Sequence, residues 1–483
     1  MPSALDVTLL FDVEDIFHAP EVGNDDIIKD LAEALSAEGV LANFLFIGRR
    51  AELLAARGRR DVIDAVRRHE VGLHTLSGAH PTMPEYTAGL GWYEGLEAVR
   101  LRELAGLDII RRVFEVEPCA LSRHGDYTAP QVHALCAEVG KPYFYGFPTA
   151  RPSGGMTWYC GSLNVPLSAI AFHVSEADYG QEAAFAATLQ RLDAFIDSAL
   201  DQGQTFAYVF LGHPLMFRCI DWPVYYMYPN GTNVPEDAWP TGPQPRLRSE
   251  LDVQLALRNF RRLARKLASD DRLNIIGASR IPAFYGQQEP DIDAVELLAA
   301  AGESLDRDAV VIRDRYTPAE ICLGLAESLI AAADTGAIPE RVPRRQVLGP
   351  LERAPLMPER WSVDWTGFLE LVRHFRARSL AQGYLVHQLH EWGCAVGLGS
   401  LYRAMAETYL GLTRGVKPEI VSFRPFNRNP EEAHGLGYAF LDISEGRAGD
   451  ESEGRLVRPD LDTAALVLHA RLQTWTMRPA QRS

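Results

Sequence analysis

Along the first 290 residues, short apolar runs alternate with stretches whose apolar positions recur at helical spacing, the pattern of βα units that feed a parallel sheet. The run Val7-Thr8-Leu9-Leu10-Phe11 predicts a buried first strand over 6–12, followed by a helix over 25–38. A second strand is expected at 42–48, ahead of a helical region at 50–68, and a third strand precedes His74. A long helix at 94–106 leads to a fourth strand at 117–123, then a helix at 130–139 and a strand at 143–145. A helix at 181–202 feeds the apolar strand 206–211, which ends in Gly212-His213. A helix at 250–268 and a strand at 273–276 complete the run. In parallel α/β folds, reactive side chains gather at the carboxyl ends of the strands. Asp12, Asp15, His74, Arg123 and His213 all hold that position in this reading.

After a first domain over 1–288, the acidic and irregular stretch 289–315 predicts a linker. Beyond it lies a weak repeat. The helix caps Thr317 and Asp364 stand 47 residues apart, and each predicted helix is followed by a glycine, Gly336 or Gly383, and a short apolar segment. Two such units make a mainly α-helical region over 316–415. Residues 416–483 read as a C-terminal extension, either a third degenerate unit or a helix at 462–475.

Composition narrows the function classes. The chain has 483 residues, too many for one ordinary domain, and 47% of them are apolar, ample for conventional cores. A net charge of −16 argues against nucleic acid or an anionic membrane as the main partner. No apolar run approaches the roughly 20 residues that span a bilayer, and the N-terminus lacks the basic-then-apolar order of a signal peptide. The six cysteines form no CxxC pair, so buried free thiols and a cytoplasmic location are the simplest expectation.

Two segments carry the chemistry: FDVEDIFH at 11–18 and HEVGLHTLSGAHP at 69–81. A carboxylate and two imidazoles, His74 and His80, arriving at neighbouring strand ends form a ligand set that leaves a divalent metal open positions for water. A spare carboxylate beside the metal supplies a general base. The rival reading makes Asp12 and Asp15 turn or cap residues and the histidines solvated loop residues. Glu14 is assigned to the opposite face of the extended strand and set aside as a ligand. Trp222, Tyr225, Tyr226 and Tyr228 read either as a sugar-stacking loop or as a packed lid.

FDVED at the first strand, the second strand at 42–48, the HEVGLHT approach, Ser122-Arg123 and Leu211-Gly212-His213 together resemble, in order and spacing, the polysaccharide deacetylase family (NodB homology, carbohydrate esterase family 4). The resemblance covers roughly residues 5–285. It implies a distorted (β/α) barrel, commonly of seven strands, and removal of acetyl groups from acetylated sugars by water that a metal activates. Carried onto this chain, it makes Asp12 the base, Asp15 the carboxylate ligand, and His74 the first histidine ligand. His213 becomes the acid that protonates the leaving amine, and Arg123 the residue that orients the base. One divalent ion is expected, zinc first.

The chain also departs from the family. The position four residues after His74, where a second histidine is usual, is Gly78, and the next imidazole is His80. The Arg-x-Pro-aromatic pattern is absent; in its place stands Arg123-His124-Gly125-Asp126, so His124, Asp126 or His18 could replace the missing ligand. The expected function is metal-dependent deacetylation of an N-acetylated saccharide or small glycoconjugate. Two alternatives stand beside it: an amidohydrolase of cyclic amides or other non-sugar C–N bonds, and a binding module without catalysis. The C-terminal repeats would then serve a protein partner or self-association.

Overall fold

The structure, a computed structural model, describes residues 4–78, 81–124, 128–146, 155–166, 170–220, 245–353, 361–391, 394–424, 426 and 461–482. The strands of the first region are β1 (Leu5–Val13), β2 (Asn43–Phe46), β3 (Glu70–Leu73), β4 (Leu121–Ser122), β5 (Tyr143–Gly146), β6 (Thr157–Tyr159), β7 (Ser162–Pro166), β8 (Ala171–His173), β9 (Phe206–Gly212) and β10 (Leu273–Ile275). They join one sheet in the order β6-β7-β5-β4-β3-β2-β1-β9-β8, in which every pair is parallel except β6 with β7. On one edge of β1, β2 pairs with Leu10–Val13 while β10 pairs with 5–7.

The sheet curls. In a flat sheet, β5 and β9 would lie about 24 Å apart, five strand spacings of roughly 4.8 Å. Instead the rings of Tyr145 on β5 and Tyr208 on β9 have centroids 5.8 Å apart. Leu10, Leu45, Phe144, Leu163, Val165, Phe206 and Phe210 fill the concave side as one cluster. The odd-numbered side chains of β1 (Leu5, Val7, Leu9, Phe11, Val13) pack instead against the surrounding helices. Strand period two therefore divides β1 cleanly, and its even positions, including Asp6, Thr8 and Asp12, face the barrel interior. This is a distorted (β/α) barrel, left open among the described residues.

The second region is mainly helical, as expected. Four helices (Ala294–Asp306, Pro318–Thr335, Trp365–Gln382 and Leu398–Thr413) surround a separate core. Three two-stranded ladders rim it: β11 (Asp291–Asp293) with β12 (Arg341–Pro343), β13 (Trp361–Asp364) with β16 (Ile420–Phe423), and β14 (Gln388–Glu391) with β15 (Cys394–Gly397). The two caps that suggested a repeat have similar local geometry. Thr317 closes a capping box with Glu320, Asp364 accepts from the Gly367 N–H, and each cap opens an 18-residue helix ended by a glycine.

Two expectations about boundaries need correction. Residues 289–315 are no linker: they form β11 and a helix whose Ile292, Leu297, Ala300 and Ala301 are buried in the second core. The acidic residues there are part-buried partners in ion pairs, where Glu296 and Glu303 bind Arg313. Nor do the described residues 461–482 at the end of the chain stack as a third unit. After a helix at Ala464–Leu472, β17 (Arg478–Pro479) pairs antiparallel with β6 and so extends the barrel sheet, while Trp475 enters the second core. No described helix is long and apolar enough to cross a membrane. Cys119, Cys136, Cys160, Cys219 and Cys322 are buried free thiols.

Candidate active site

Four strand ends bring polar side chains to one place. Asp12 lies on β1 and Glu14 just beyond it; His74 follows β3, His124 follows β4, and His213 follows β9. Glu14 sits at the centre. Its Oε1 is 2.8 Å from His74 Nε2, 3.5 Å from His124 Nε2 and 3.9 Å from His213 Nε2. Asp12 Oδ2 lies 3.6 Å from His74 Nε2 and 4.0 Å from His213 Nε2. Ligand atoms of Asp12, Glu14 and His213 all fall within 4.8 Å of one another. All of these groups except His213 are more than nine-tenths buried.

The far nitrogens of two imidazoles are fixed from behind. His74 Nδ1 is 2.6 Å from Ser122 Oγ, and His213 Nδ1 is 2.6 Å from Glu176 Oε1. Such outer partners set the tautomer and aim Nε2 at the centre. Glu176, just after β8, also accepts from the His213 backbone N–H. Gly212 makes this contact possible, because it has φ of 109° and any Cβ there would fall 2.8 Å from Glu176 Cγ. Tyr145 donates to Asp12 Oδ1 at 3.1 Å. It does so from a bulge in β5, with φ of 58°, a conformation costly for a non-glycine residue. Thr75, next to His74, is held at φ of 86°.

The two carboxylates are driven apart electrostatically. Burial pushes the Asp12 carboxyl up; the charges of His74 and His213 oppose this, and that of Glu14 adds to it. Burial also acts on Glu14, but the charges of His124 and His213 and hydrogen bonds from His124 and His74 outweigh it, so Glu14 is held well below the usual range. His213 is pulled down by burial, yet the Glu14 charge and the Glu176 hydrogen bond raise it to about 9. A carboxyl shifted up, a carboxylate held down and a protonated imidazole thus share one centre.

Placement of the expected residues is uneven. Asp12, His74 and His213 meet. Arg123 is buried at the end of β4, with its backbone N–H on Phe144 O at 3.2 Å and its charge bearing on the Tyr143 and Tyr208 hydroxyls. The hydrogen bond to Asp12 comes from Tyr145. Asp15, expected as the carboxylate ligand, lies apart from this centre, where Glu14 stands instead: its oxygens accept from the N–H groups of Phe17 and His18 and from Asn24 Nδ2 at 2.6 Å, and its Oδ1 pairs with His18 Nδ1 at 3.1 Å. That closed group also accounts for His18. The cause is strand parity: Glu14 shares the even face with Asp12, and Asp15 falls on the other. His80, Asp126 and the aromatic cluster at 222–228 lie outside the described residues.

His124 packs over Gly78, the position four residues after His74. A Cβ on Gly78 would fall 2.9 Å from His124 Cε1 and 2.9 Å from Ile47 Cδ1. The ring of His124 meets that of His74 edge-on, with centroids 5.3 Å apart. An imidazole reaching in from β4 therefore needs a glycine at 78. Glu14 could have been found by parity; Glu176 could not, because β8 has no clear sequence signature.

Carboxylates and imidazoles thus gather at the carboxyl ends of a curled, largely parallel sheet. Solved structures similar to this one include a putative polysaccharide deacetylase from Mycobacterium smegmatis, at 16% identity over 59% of this chain and 91% of that one, with a TM-score of 0.36. A probable polysaccharide deacetylase from Pseudomonas aeruginosa is similar at 10% identity over 59% of this chain and 93% of the other, with a TM-score of 0.37. A CE4-family pseudoenzyme from Bacillus anthracis is similar at 14% identity over 44% of this chain and 56% of the other, with a TM-score of 0.26. No family model matches the sequence, and no curated protein does.

Proposed function

We propose that the barrel is a hydrolase of C–N bonds that removes the acetyl group from an N-acetylated saccharide or small glycoconjugate. The observation that carries this is the convergence of Asp12, Glu14, His74, His124 and His213 on one centre, with each role supplied by a different side chain. Two buried carboxylates facing three imidazole nitrogens are a mixed N/O donor set suited to a divalent ion, zinc first. Glu14, His74 and His124 would hold that ion, and the chemistry it supplies when bound is Lewis acidity toward the scissile carbonyl and water.

The chain's own residues do the rest. Asp12, oriented by Tyr145, takes a proton from the attacking water as its oxygen bonds to the amide carbon. Glu176 holds Nδ1 of His213, so Nε2 faces the centre and delivers a proton to the nitrogen as the C–N bond breaks. The products are acetate and a free amine. Release of acetate from N-acetylated amino sugars tests the proposal. Asp12→Asn is expected to lose about 10²–10⁴ in turnover while retaining bound metal. Undiminished turnover in that variant would sink the assignment.

A further inference from the structure

A second collection of charge lies where the barrel meets the helical region. Arg315, Arg344, Arg478 and Arg482 line one cavity of about 330 Å³, and Glu289 is the carboxylate among its lining residues. The arginines arrive from separate elements: Arg478 lies on β17 in the barrel sheet, Arg344 directly follows β12, and Arg315 precedes the helix Pro318–Thr335. Each guanidinium lies over an aromatic face. Arg478 is 4.8 Å from the Trp158 centroid, Arg344 and Arg315 are 5.2 and 5.6 Å from that of Tyr316, and Arg482 is 5.6 Å from that of Phe284. Such stacking fixes a cation in place without neutralising it.

Carboxylates account for part of this charge. Arg344 Nε pairs with Glu320 at 2.7 Å, Arg482 Nε with Asp6 at 3.2 Å, and Arg315 approaches the exposed Glu289 at 3.9 Å. Arg478 is different. It is 5% exposed, its Nη1 donates to Pro479 O at 3.2 Å, and among the described residues Nε and Nη2 have no hydrogen-bond partner. Arg344 Nη2 is likewise buried without one. Burial draws the Arg478 guanidinium down to about 10, with the Glu320 charge opposing and that of Arg344 adding. In a chain of net charge −16, a buried guanidinium with two nitrogens left without a hydrogen-bond acceptor is out of keeping with its surroundings.

We propose that this cavity binds a small phosphate-bearing anion of about diphosphate size, which neutralises Arg478 and ties β17 of the barrel to Arg344 and Arg315 of the helical region. Guanidinium forks match phosphoryl oxygens in pairs, and the cavity volume lies at the small end of ligand pockets. The site is separate from the carboxylate–imidazole centre and does not depend on the reaction there.

Calorimetric titration with inorganic pyrophosphate, at ionic strength held constant with sodium chloride, tests it on the full chain. Wild type is expected to bind one equivalent saturably. Arg478→Gln should bind at least tenfold more weakly and show no pyrophosphate-dependent rise in Tm. Arg315→Gln, a change at a half-exposed side chain, should bind several-fold more weakly with its fold intact. If circular dichroism shows Arg478→Gln misfolded, Arg315→Gln decides alone. Absence of saturable binding to wild type, or wild-type affinity in the folded variants, overturns the proposal. Tighter binding of citrate than of pyrophosphate overturns the phosphate class.

Discussion

Asp12 and Glu14 on one side, and Asp15 with His18 on the other, use the same residue types within seven positions of sequence, yet they form opposite kinds of group. Glu14 faces three imidazole nitrogens from three other strand ends, all aimed at one point. Asp15 spends its oxygens on two local N–H groups, Asn24 and His18. One arrangement is open and long-range; the other is a closed local turn that shapes the chain leaving β1. The difference teaches that motif letters do not assign roles here. Strand parity does, because a step of one residue moves a side chain from the barrel interior to the outside.

Several changes break this contrast. Glu14→Gln should cost at least as much turnover as Asp12→Asn, about 10²–10⁴, whereas Asp15→Asn should stay within a few-fold, both read by acetate release. Asp15→Ala should instead lower stability by about 1–3 kcal/mol in a denaturant titration, because two backbone N–H groups and Asn24 lose their acceptor. Unchanged stability would argue against the closed turn. Gly78→Ala should weaken metal binding about tenfold by displacing His124, at a cost of roughly 1–3 kcal/mol, by equilibrium dialysis and denaturation.

The smallest effect is a pH dependence of opposite sign in different histidines. His18 is pulled down by burial but raised to about 9 by Asp15 and Cys219, so its contribution is full below about 6.5 and fades as pH rises through 9. Burial lowers His133 to about 3, and its contribution is full above about 6.5 and fades as pH falls toward 3. Stability curves should show both limbs, with the alkaline limb flattened in His18→Gln. An alkaline limb unchanged in that variant would contradict the Asp15–His18 pairing.

Much of the barrel was legible because buried parallel strands leave continuous apolar runs, and those ending at Asp12, His74 and His213 stand out by that rule alone. Short strands were not: β4 has two residues and β8 three, too few for any periodicity, so Glu176 left no trace. Tyr145 was visible as part of a strand, but its approach to Asp12 depends on a bulge that no residue type announces. Part-buried acidic residues paired with Arg313 on the helix at 294–306 imitated a linker. The return of β17 to the barrel is a contact between residues more than 300 positions apart, beyond any local pattern.

The most direct test is metal content by elemental analysis of purified Glu14→Gln beside Asp15→Asn. The parity account predicts near one divalent ion per chain in wild type and Asp15→Asn, and its loss in Glu14→Gln. Loss in Asp15→Asn with retention in Glu14→Gln would contradict it.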